Sequence, residues 1–356
     1  MELNFALMGC GRIAQTHARV LGDHLVKNAK LTAVCDSDFP RAAALGEKYR
    51  VPAYPSLEEM VKAHPEIDAV NILTPSGLHA EHAIRAAKLG KHVIVEKPMA
   101  LRLTDADEMI KTAALNGVKL FVVKQNRFNL AVQKLRGALT AGRFGKIICG
   151  TVRVRWCRTQ EYYDHDAWRG TWAYDGGVFS NQAIHHIDLL EWMLGNPVSV
   201  YAATRTALAH IEAEDTGFSL IRFENGAIGS VEATTAARPR DFEGSISILG
   251  EKGTVVIGGN SVNRIQTWEF SEMQPEDERI VQEALQTPPN VYGFGHTPYL
   301  QNVVDCILHG TPAMVDGKEG RRSLELISAM YESSETGREI LMQDFTPEKS
   351  RLGLRK

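Results

Sequence analysis

The sequence predicts two successive domains: an α/β domain with a doubly wound parallel sheet, then an α+β domain with a large, mostly antiparallel open sheet. The length of 356 residues exceeds what one ordinary core organises and suits two domains of standard size. Up to residue 123, apolar runs alternate with amphipathic stretches, as in successive strand–helix units. Beyond it, short alternating runs are separated by turn residues, as in antiparallel sheets.

The expected boundaries follow from the same change of pattern. They are residues 1–123 for the first domain, 124–345 for the second and 346–356 for a polar, mobile tail. In the first domain we predict strands at 4–8, 30–35, 67–73, 92–95 and 120–123, and helices at 57–63, 80–89 and 105–116. In the second we predict strands at 146–156, 199–207, 217–223, 226–234, 243–249 and 253–257, and helices at 297–308 and 319–336.

The first predicted strand ends in a glycine turn, GCGRIA, and an amphipathic helix follows. Gly9 permits the tight turn, Gly11 leaves bare backbone for a pyrophosphate, and Ala14 lets the helix pack closely on the strand. Arg12 and Ile13 lie at the start of the helix, where free N–H groups favour phosphate. Strand, turn and helix in this order predict a dinucleotide-binding turn.

A carboxylate follows the second predicted strand. Asp36 lies 25 residues after Gly11, the place from which an acid accepts hydrogen bonds from ribose hydroxyls and repels a 2′-phosphate. We therefore expect NAD rather than NADP, with Ser37 beside the ribose. Arg41 leaves the alternative open, because an arginine there is a partner for a phosphate.

Two further turns follow strands of the predicted parallel sheet. Thr74, Pro75, Ser76 and His79 belong to TPSGLH, at the carboxyl end of a strand, where ligands bind open α/β sheets. The next strand closes at Glu96-Lys97-Pro98. Taken alone, a lysine after a strand is most often a solvated surface residue.

Together, GCGRIA, TPSGLH and EKP resemble the Gfo/Idh/MocA oxidoreductases across essentially the whole chain. The resemblance implies an NAD-binding Rossmann domain followed by a substrate-binding and oligomerisation domain. It also implies that Lys97 contacts the nicotinamide ribose and the reacting hydroxyl, with Pro98 in a cis peptide. The remaining cofactor residues that it assigns are Glu96, Gln125, Trp168 and Arg169.

The second half carries NQAIHHID, where the family typically shows D-x-G-x-H-x-x-D. The resemblance gives His185 the catalytic place and Asp188 the trailing acid, while Asn181 stands where many relatives have aspartate. From the residues alone, Asn181 and His185 are one helical turn apart, and a neutral imidazole is a proton acceptor near neutral pH. A satisfied polar pair inside an apolar helix is the alternative interpretation.

Five stretches resemble, within the family, bacterial UDP-N-acetylglucosaminuronate 3-dehydrogenases. They are FVVKQNR (121–127), WCRTQEYY (156–163), WRGTW (168–172), EGSISILGEKGT (243–254) and VYGFGH (291–296). Those enzymes make a 3-keto sugar, which a partner aminotransferase converts toward diacetamido uronic acids of cell-surface polysaccharide such as lipopolysaccharide O-antigen. The resemblance therefore implies a UDP-linked amino sugar acid as the substrate.

Such a substrate carries a diphosphate and a carboxylate, so its pocket needs fixed cations. Arg127, Arg158 and Arg240 are the expected ones, since guanidinium forks suit both groups. Lys97, Asn181 and His185 complete the expected substrate ligands. For each arginine taken alone, a surface salt bridge is about equally common. Whether Tyr162 and Tyr163 stack on uracil or pack under the sheet is left open by the sequence.

Composition excludes several classes of partner. The formal net charge is −3, so the chain has no overall electrostatic attraction to nucleic acid or to an anionic membrane. No apolar run approaches the ~20 residues that span a bilayer. Five scattered cysteines without a Cys-x-x-Cys pair, and no basic leader, predict a cytoplasmic protein with reduced thiols. We expect no metal, because the histidines lack further ligands at zinc-like spacing.

The resemblance also implies a homo-oligomer, with a tetramer favoured, formed through the open face of the second sheet. It leaves 2-oxoglutarate as one candidate acceptor for the hydride of NADH. Two alternative functions stay open at this stage. One is a dehydrogenase of a free cyclitol or aldose, and the other is a non-catalytic regulator that senses NAD on the same fold.

Overall fold

The computed structural model describes residues 1–284, 293–347 and 350–354, which form two compact units. The first unit comprises residues 1–124 and 296–321, and the second comprises 125–295 and 322–356. The segment 296–321 thus belongs to the first unit, whereas the sequence placed it in the second domain. The physical reason is helix α10 (His296–His309), which packs against α1 (Ala14–Gly22).

The first unit is built on a six-stranded sheet whose pairs are all parallel. Its strands are β1 (Leu3–Met8), β2 (Ala29–Cys35), β3 (Ala53–Tyr54), β4 (Ala69–Ile72), β5 (His92–Val95) and β6 (Leu120–Val122). Their order is β3-β2-β1-β4-β5-β6. The order reverses between β1 and β4, the switch point outside which ligands bind in such sheets. The doubly wound prediction is confirmed.

Helices cover this sheet. Besides α1 and α10 they are α2 (Phe39–Tyr49), α3 (Leu57–Ala63), α4 (His79–Lys88) and α5 (Leu103–Leu115). The sequence predicted α3 and β5 with the bounds observed, and it missed α2 and β3. Helix α2 buries Ala42, Leu45 and Gly46, and two of these are small residues that give little apolar signal in the sequence.

The second unit contains an eight-stranded sheet. Its strands are β7 (Ile147–Arg155), β8 (Pro197–Arg205), β9 (Thr216–Phe223), β10 (Ile228–Thr234), β11 (Glu243–Gly250), β12 (Gly253–Gly258), β13 (Arg264–Phe270) and β14 (Ile340–Leu341). They lie in the order β13-β12-β11-β7-β10-β9-β8-β14. The β7–β10 pair is parallel and the other pairs are antiparallel, which confirms the prediction of a mostly antiparallel sheet.

Helix α8 (Ile184–Leu194) packs on one face of this sheet, against β7, β10 and β11. Gly150 on β7 allows the close approach, because a Cβ there would come within 3.0 Å of Leu190 and 3.1 Å of Leu194. The other helices are α6 (Leu130–Thr140), α7 (Gln160–Asp164), α9 (Asp277–Glu283) and α11 (Gly317–Thr336), whose residues from 322 onward belong to this unit. The sheet thereby fixes α8, which carries His185.

The tail was expected to be mobile, but its described part is packed. Leu352 is buried, and the Gly353 N–H donates to the Trp172 carbonyl at 2.8 Å. Positions 348–349 and 355–356 of the tail, and Val291 and Tyr292 of the VYGFGH stretch, lie outside the described residues.

All five cysteines lie within the described residues and are unpaired thiols. Among the same residues, no helix combines the length and the apolar character needed to cross a membrane.

Candidate active site

The glycine turn after β1 has the geometry that the motif predicts. Gly9 has φ +97°, and a Cβ there would lie 2.8 Å from the Leu73 carbonyl, so a larger residue is excluded. A Cβ on Gly11 would meet nothing within 4 Å. The turn is therefore pressed against the end of β4 on one side, and its backbone is open at Gly11, where a pyrophosphate is expected.

Asp36 is fixed beside this turn by backbone amides. Its carboxylate accepts from the Cys10 N–H at 2.7 Å and from the Asp38 N–H at 2.9 Å. Arg41, the group that left NADP open, forms an ion pair with Asp38 at 2.9 Å. A fixed carboxylate at the ribose position together with an arginine that already has an acidic partner favours NAD.

His79 connects the TPSGLH turn to the EKP turn. Its ring is 1% exposed, with Nε2 2.8 Å from the Thr74 carbonyl oxygen and Nδ1 2.7 Å from the Pro98 carbonyl oxygen. Burial lowers the pKa of His79, against the opposing effect of the two carbonyls. A neutral ring donates to one of them. The structure thus favours a bracing role for this predicted cofactor residue. His82 bonds the Thr74 hydroxyl at 2.9 Å.

The EKP turn follows β5, and its Lys97–Pro98 peptide is cis, as the resemblance implied. Glu96 is 5% exposed. One carboxylate oxygen accepts from the Lys97 N–H at 3.0 Å, and the other lies 3.1 Å from His17 Nε2. Both oxygens are thus engaged within the first unit, which favours a supporting role for Glu96 over direct contact with the cofactor.

The sequence did not anticipate the side chains around Glu96. His17 of α1 and His296 of α10 converge on it, and their ligand atoms lie within 4.8 Å of one another. Among the described residues, His17, Glu96 and His296 form a cluster of histidine and acidic side chains that could hold a metal ion. The expectation of no metal rested on spacing along the chain, and spacing cannot reveal residues that are 79 and 200 positions from Glu96.

In the second unit, His185 lies in the first turn of α8 and is 8% exposed. Its Nε2 lies 3.1 Å from the Gln125 side-chain nitrogen. Since an amide nitrogen only donates, this contact assigns a lone pair to Nε2 and the proton to Nδ1. Gln125, expected to bind the cofactor, thus contacts the predicted base and selects its tautomer.

A carboxylate lies beside Asn181, the residue that replaces the aspartate found in many relatives. It lies in a π-helical turn, Val178–Gln182, and its amide donates a short hydrogen bond to the Asp175 carboxylate. The other oxygen of Asp175 accepts from the Gly170 N–H at 2.8 Å. Asp175 is buried and joins the WRGTW segment to Asn181. The sequence shows Asp175 in the DGG run before NQAIHHID, but it does not predict that Asp175 contacts Asn181.

Arg127 is paired with an acidic side chain inside the second unit. Its guanidinium is bidentate to Asp188, at 2.7 and 2.8 Å, and stacks 4.9 Å from the Trp192 ring. Arg127 and Asp188 are each 1% exposed. The trailing acid therefore pairs with an arginine 61 positions away. This buried ion pair makes Arg127 part of the protein interior, and the expectation that it binds a substrate anion is corrected accordingly.

His186, the neighbour of the predicted base, is fully buried, and burial lowers its pKa to about 4. Within the described part of the chain, neither ring nitrogen has a hydrogen-bond partner. Its ring packs edge-on against Trp156 at 5.7 Å. His186 is therefore neutral and, among the described residues, has no neighbouring group with which to exchange a proton. This favours His185 over His186 as the base.

Two expected ligands, Arg158 and Arg169, flank one aromatic ring. Their guanidiniums lie 5.4 and 4.6 Å from the Tyr162 ring centre, and Arg169 donates to the Tyr162 hydroxyl at 2.7 Å. Trp168 stacks on Arg169 at 4.5 Å. We call Arg158, Tyr162, Trp168 and Arg169 the arginine–tyrosine cluster. Asp241 and Asp166 partly neutralise it, at 2.8 and 2.9 Å.

Tyr163 packs beneath the sheet rather than facing a ligand. It is 5% exposed, and its hydroxyl bonds the Thr235 hydroxyl at 2.8 Å. Arg240, the weakest of the expected ligands, is exposed to solvent.

Family models match both units. The model of the oxidoreductase family's NAD-binding Rossmann fold matches residues 3–124. The model of the C-terminal alpha/beta domain of the same family matches residues 136–342.

The chain is similar to the WlbA dehydrogenase of Bordetella pertussis, whose structure was solved with NADH and UDP-GlcNAcA. The two sequences are 44% identical, and the structures superpose with a TM-score of 0.88 over 96% of this chain and 97% of that chain. The WlbA dehydrogenase of Chromobacterium violaceum, solved with the same two ligands, has 45% identity, a TM-score of 0.89 and 96% of each chain covered. The myo-inositol 2-dehydrogenase of Thermotoga maritima is 27% identical, over 96% of this chain and 99% of its own. This chain belongs to the Gfo/Idh/MocA family of NAD-dependent oxidoreductases.

Proposed function

We propose that this enzyme uses NAD to oxidise the 3-hydroxyl of UDP-N-acetylglucosaminuronic acid to the 3-keto sugar. The observation that carries the proposal is the 44–45% identity, over 96% of the chain, to dehydrogenases whose structures hold NADH and UDP-GlcNAcA. The product would enter the synthesis of diacetamido uronic acids for cell-surface polysaccharide such as O-antigen.

In the proposed reaction the sugar loses two hydrogens. The hydrogen on C3 leaves with its electron pair as hydride and reduces the nicotinamide, while the hydroxyl proton passes to His185. The Gln125 amide donates to the Nε2 lone pair of His185, so the substrate hydroxyl has to replace this contact before Nε2 accepts the proton. A positioned base of this kind contributes about 100- to 10,000-fold to the rate. Lys97, at the carboxyl edge of the parallel sheet, would hold and polarise the reacting oxygen.

Within the arginine–tyrosine cluster, Arg158 is the proposed source of positive charge for the substrate's anionic groups, while Trp168 and Arg169 keep their proposed place beside the cofactor. Guanidinium groups bind carboxylate and phosphate through paired hydrogen bonds. Asp166 and Asp241 hold Arg169 and Arg158 in fixed orientations, so the cost of ordering these side chains is already met within the protein. Asn181, aligned by Asp175, is the proposed neutral ligand, and Arg240 is exposed and lies outside the cluster.

We also propose a homo-oligomer, with a tetramer favoured, formed through the open face of the eight-stranded sheet. Tyr201, Phe218 and Leu220 are 47%, 53% and 49% exposed on neighbouring strands, with Tyr201 opposite Leu220 in the register. Large apolar side chains clustered on a sheet face are typical of interfaces. A Phe218→Asp, Leu220→Asp double variant should sediment as a smaller species than wild type, and an unchanged sedimentation coefficient would contradict this interface.

The activity test is a substrate panel with purified enzyme and NAD. UDP-GlcNAcA should yield NADH and a product lacking two hydrogens by mass. The 27% identity to a myo-inositol dehydrogenase makes free cyclitols the second candidate class, so myo-inositol and glucose belong in the panel. NADH formed with those alone would overturn the proposal, and tight NAD binding with no turnover at all would indicate a sensor. Adding 2-oxoglutarate tests whether it reoxidises NADH, which would then fail to accumulate.

A further inference from the structure

Four polar side chains of the first unit form a chain of contacts that ends at the backbone of Lys97. Asn71 on β4 lies with its amide nitrogen 2.9 Å from His17 Nδ1. His17 Nε2 lies 3.1 Å from one oxygen of Glu96, and His296 Nε2 lies 3.7 Å from the same oxygen. The other oxygen accepts from the Lys97 N–H at 3.0 Å. We call Asn71, His17, Glu96 and His296 the buried clamp.

The hydrogen-bond directions in the clamp follow from the chemistry of each group. Because a carboxylate only accepts, His17 Nε2 carries the proton that it donates to Glu96, and Nδ1 of the neutral ring faces the Asn71 amide. Nε2–H therefore points to Glu96. His17, His296 and Glu96 are 0%, 3% and 5% exposed, so little water competes for these bonds. Burial alone would raise the pKa of Glu96, but the two histidines hold it well below its ordinary value.

The clamp holds one side of Lys97, and His79 holds the other. Glu96 accepts a hydrogen bond from the Lys97 N–H. On the other side of Lys97, His79 Nδ1 lies 2.7 Å from the carbonyl oxygen of Pro98, the next residue. A displacement of about 1 Å at a reacting group costs roughly 100-fold in rate. The position of the Lys97 backbone is thus set by Glu96 and His79, two residues that the sequence had assigned to the cofactor.

We propose that His17 is a positioning residue, which, with His296 beside it, holds the Glu96 carboxylate so that it fixes the backbone of Lys97 for catalysis. This inference rests on the proposed role of Lys97 in the reaction. A metal site is the competing interpretation of the same three side chains. The two interpretations differ at His17 Nε2, which carries a proton donated to Glu96 in the clamp and would have to lose it to a metal.

The test compares two substitutions at His17. His17→Leu removes the donor to Glu96, whereas His17→Gln replaces it with an amide N–H of similar reach. We expect kcat and kcat/KM to fall together by about 30-fold in His17→Leu, with an unchanged KM and NAD affinity, as for an interaction realised only in the transition state. His17→Gln should recover most of the loss. The matched control is His92→Leu at the other end of β5, where His92 accepts from the Lys119 N–H and wild-type kcat is expected.

Several outcomes would overturn the inference. These are wild-type kcat in His17→Leu, a loss of kcat no larger than the loss of folded protein by thermal melting, and a failure of His17→Gln to restore the rate. One equivalent of transition metal in the purified enzyme, with activity lost to a chelator, would also overturn it.

The rates are measured on whichever alcohol the wild type oxidises, so the two proposals fail separately. Slow His17→Leu turnover of a substrate other than UDP-GlcNAcA would uphold the clamp and reject the proposed substrate. Full activity of Lys97→Met would reject the clamp and the catalytic lysine together.

Discussion

The two units hold their predicted site residues in different ways. In the first unit, Asp36 and His79 are fixed by backbone amides or carbonyls, and Glu96 is held by the Lys97 N–H together with His17. In the second, Arg127 is fixed by Asp188 and His185 contacts Gln125, through side-chain pairs about 60 positions apart. A residue that is held by the backbone at a strand end stands at a fixed spacing in the sequence and is recognisable as part of a motif. A residue held by a distant side chain has no signature in the sequence. We therefore expect substitutions in the first unit to change chemistry, and those in the second to change stability as well.

The largest expected effect is on the chemistry of the first unit. Lys97→Met should lower kcat by about 10,000-fold, because the positive charge at the EKP turn is lost while the backbone of the turn stays fixed. NAD affinity, measured by calorimetry, and thermal stability should remain near wild type. Lys88→Met, at an exposed position of α4, is the matched control. Near-normal turnover in Lys97→Met would remove the lysine from the mechanism.

In the second unit, Arg127→Met should instead cost roughly 4 kcal/mol of unfolding free energy, because Asp188 would remain buried without its partner. Urea denaturation followed by fluorescence measures this loss. The double variant Arg127→Met, Asp188→Leu should recover most of it, since no buried charge is left. If the single variant were fully stable but bound UDP-GlcNAcA poorly, Arg127 would be a substrate ligand as first expected.

Glu214 offers a pH test of the second unit. Burial raises its pKa to about 7, against the bonds from the Phe179 N–H and the Tyr331 hydroxyl. The folded state thus holds the proton more tightly than the unfolded chain does, so this stabilisation is complete below about pH 4.5 and is lost as pH rises through 7. Glu214→Gln stays neutral.

Relative to Glu214→Gln, wild type should therefore lose up to about 3 kcal/mol of unfolding free energy between pH 4.5 and 8. Denaturation curves across this range measure the difference, with the exposed Glu224→Gln as the control. Parallel pH profiles for wild type and Glu214→Gln would show that Glu214 titrates normally.

Neighbouring histidines on α8 allow a matched comparison. His185→Asn should lower kcat by roughly 100-fold by removing the base. His186→Leu should leave kcat near wild type and keep or raise stability, because it removes a buried ring that has no hydrogen-bond partner within the described residues. A reversed pattern in steady-state rates would move the base to His186.

The smallest expected effect concerns cofactor choice. Asp36→Asn should reduce the preference for NAD over NADP in kcat/KM by about 10-fold, because the 2′-phosphate is no longer repelled. The amide oxygen can retain one of the two backbone bonds, so the fold should persist. Asp38→Asn, next to the same turn and paired with Arg41, should keep the wild-type preference.

The first unit's sheet was predictable because periodic apolar runs and glycine turns are local. Gly9, Asp36 and the EKP turn were found where backbone geometry demands their residue types. The assignment of residues 296–321 to this unit was not predictable, since the chain returns after about 170 residues and nothing at His296 marks its partner Glu96. His17 carried a weak signal as a histidine on the buried face of α1.

In the second unit most of the alternating strands were predicted, but several elements were missed, among them β13 and α6. Both are held largely by contacts with other elements, β13 by β12 and α6 by the segment around Gln125–Phe128. The role of Arg127 was misjudged for a related reason. An arginine has the same appearance in a sequence whether it meets a ligand or an aspartate 61 residues away. Only the three-dimensional pairing separates the two.

The most direct test of the proposed reaction follows one hydrogen. UDP-GlcNAcA carrying deuterium at C3 would be mixed with excess enzyme and NAD, and both products analysed by mass spectrometry. We predict deuterium in the reduced cofactor, none at C3 of the sugar, and a slower hydride step than with the unlabelled substrate. Deuterium retained in an oxidised sugar, or no reduced cofactor at all, would contradict oxidation at this carbon.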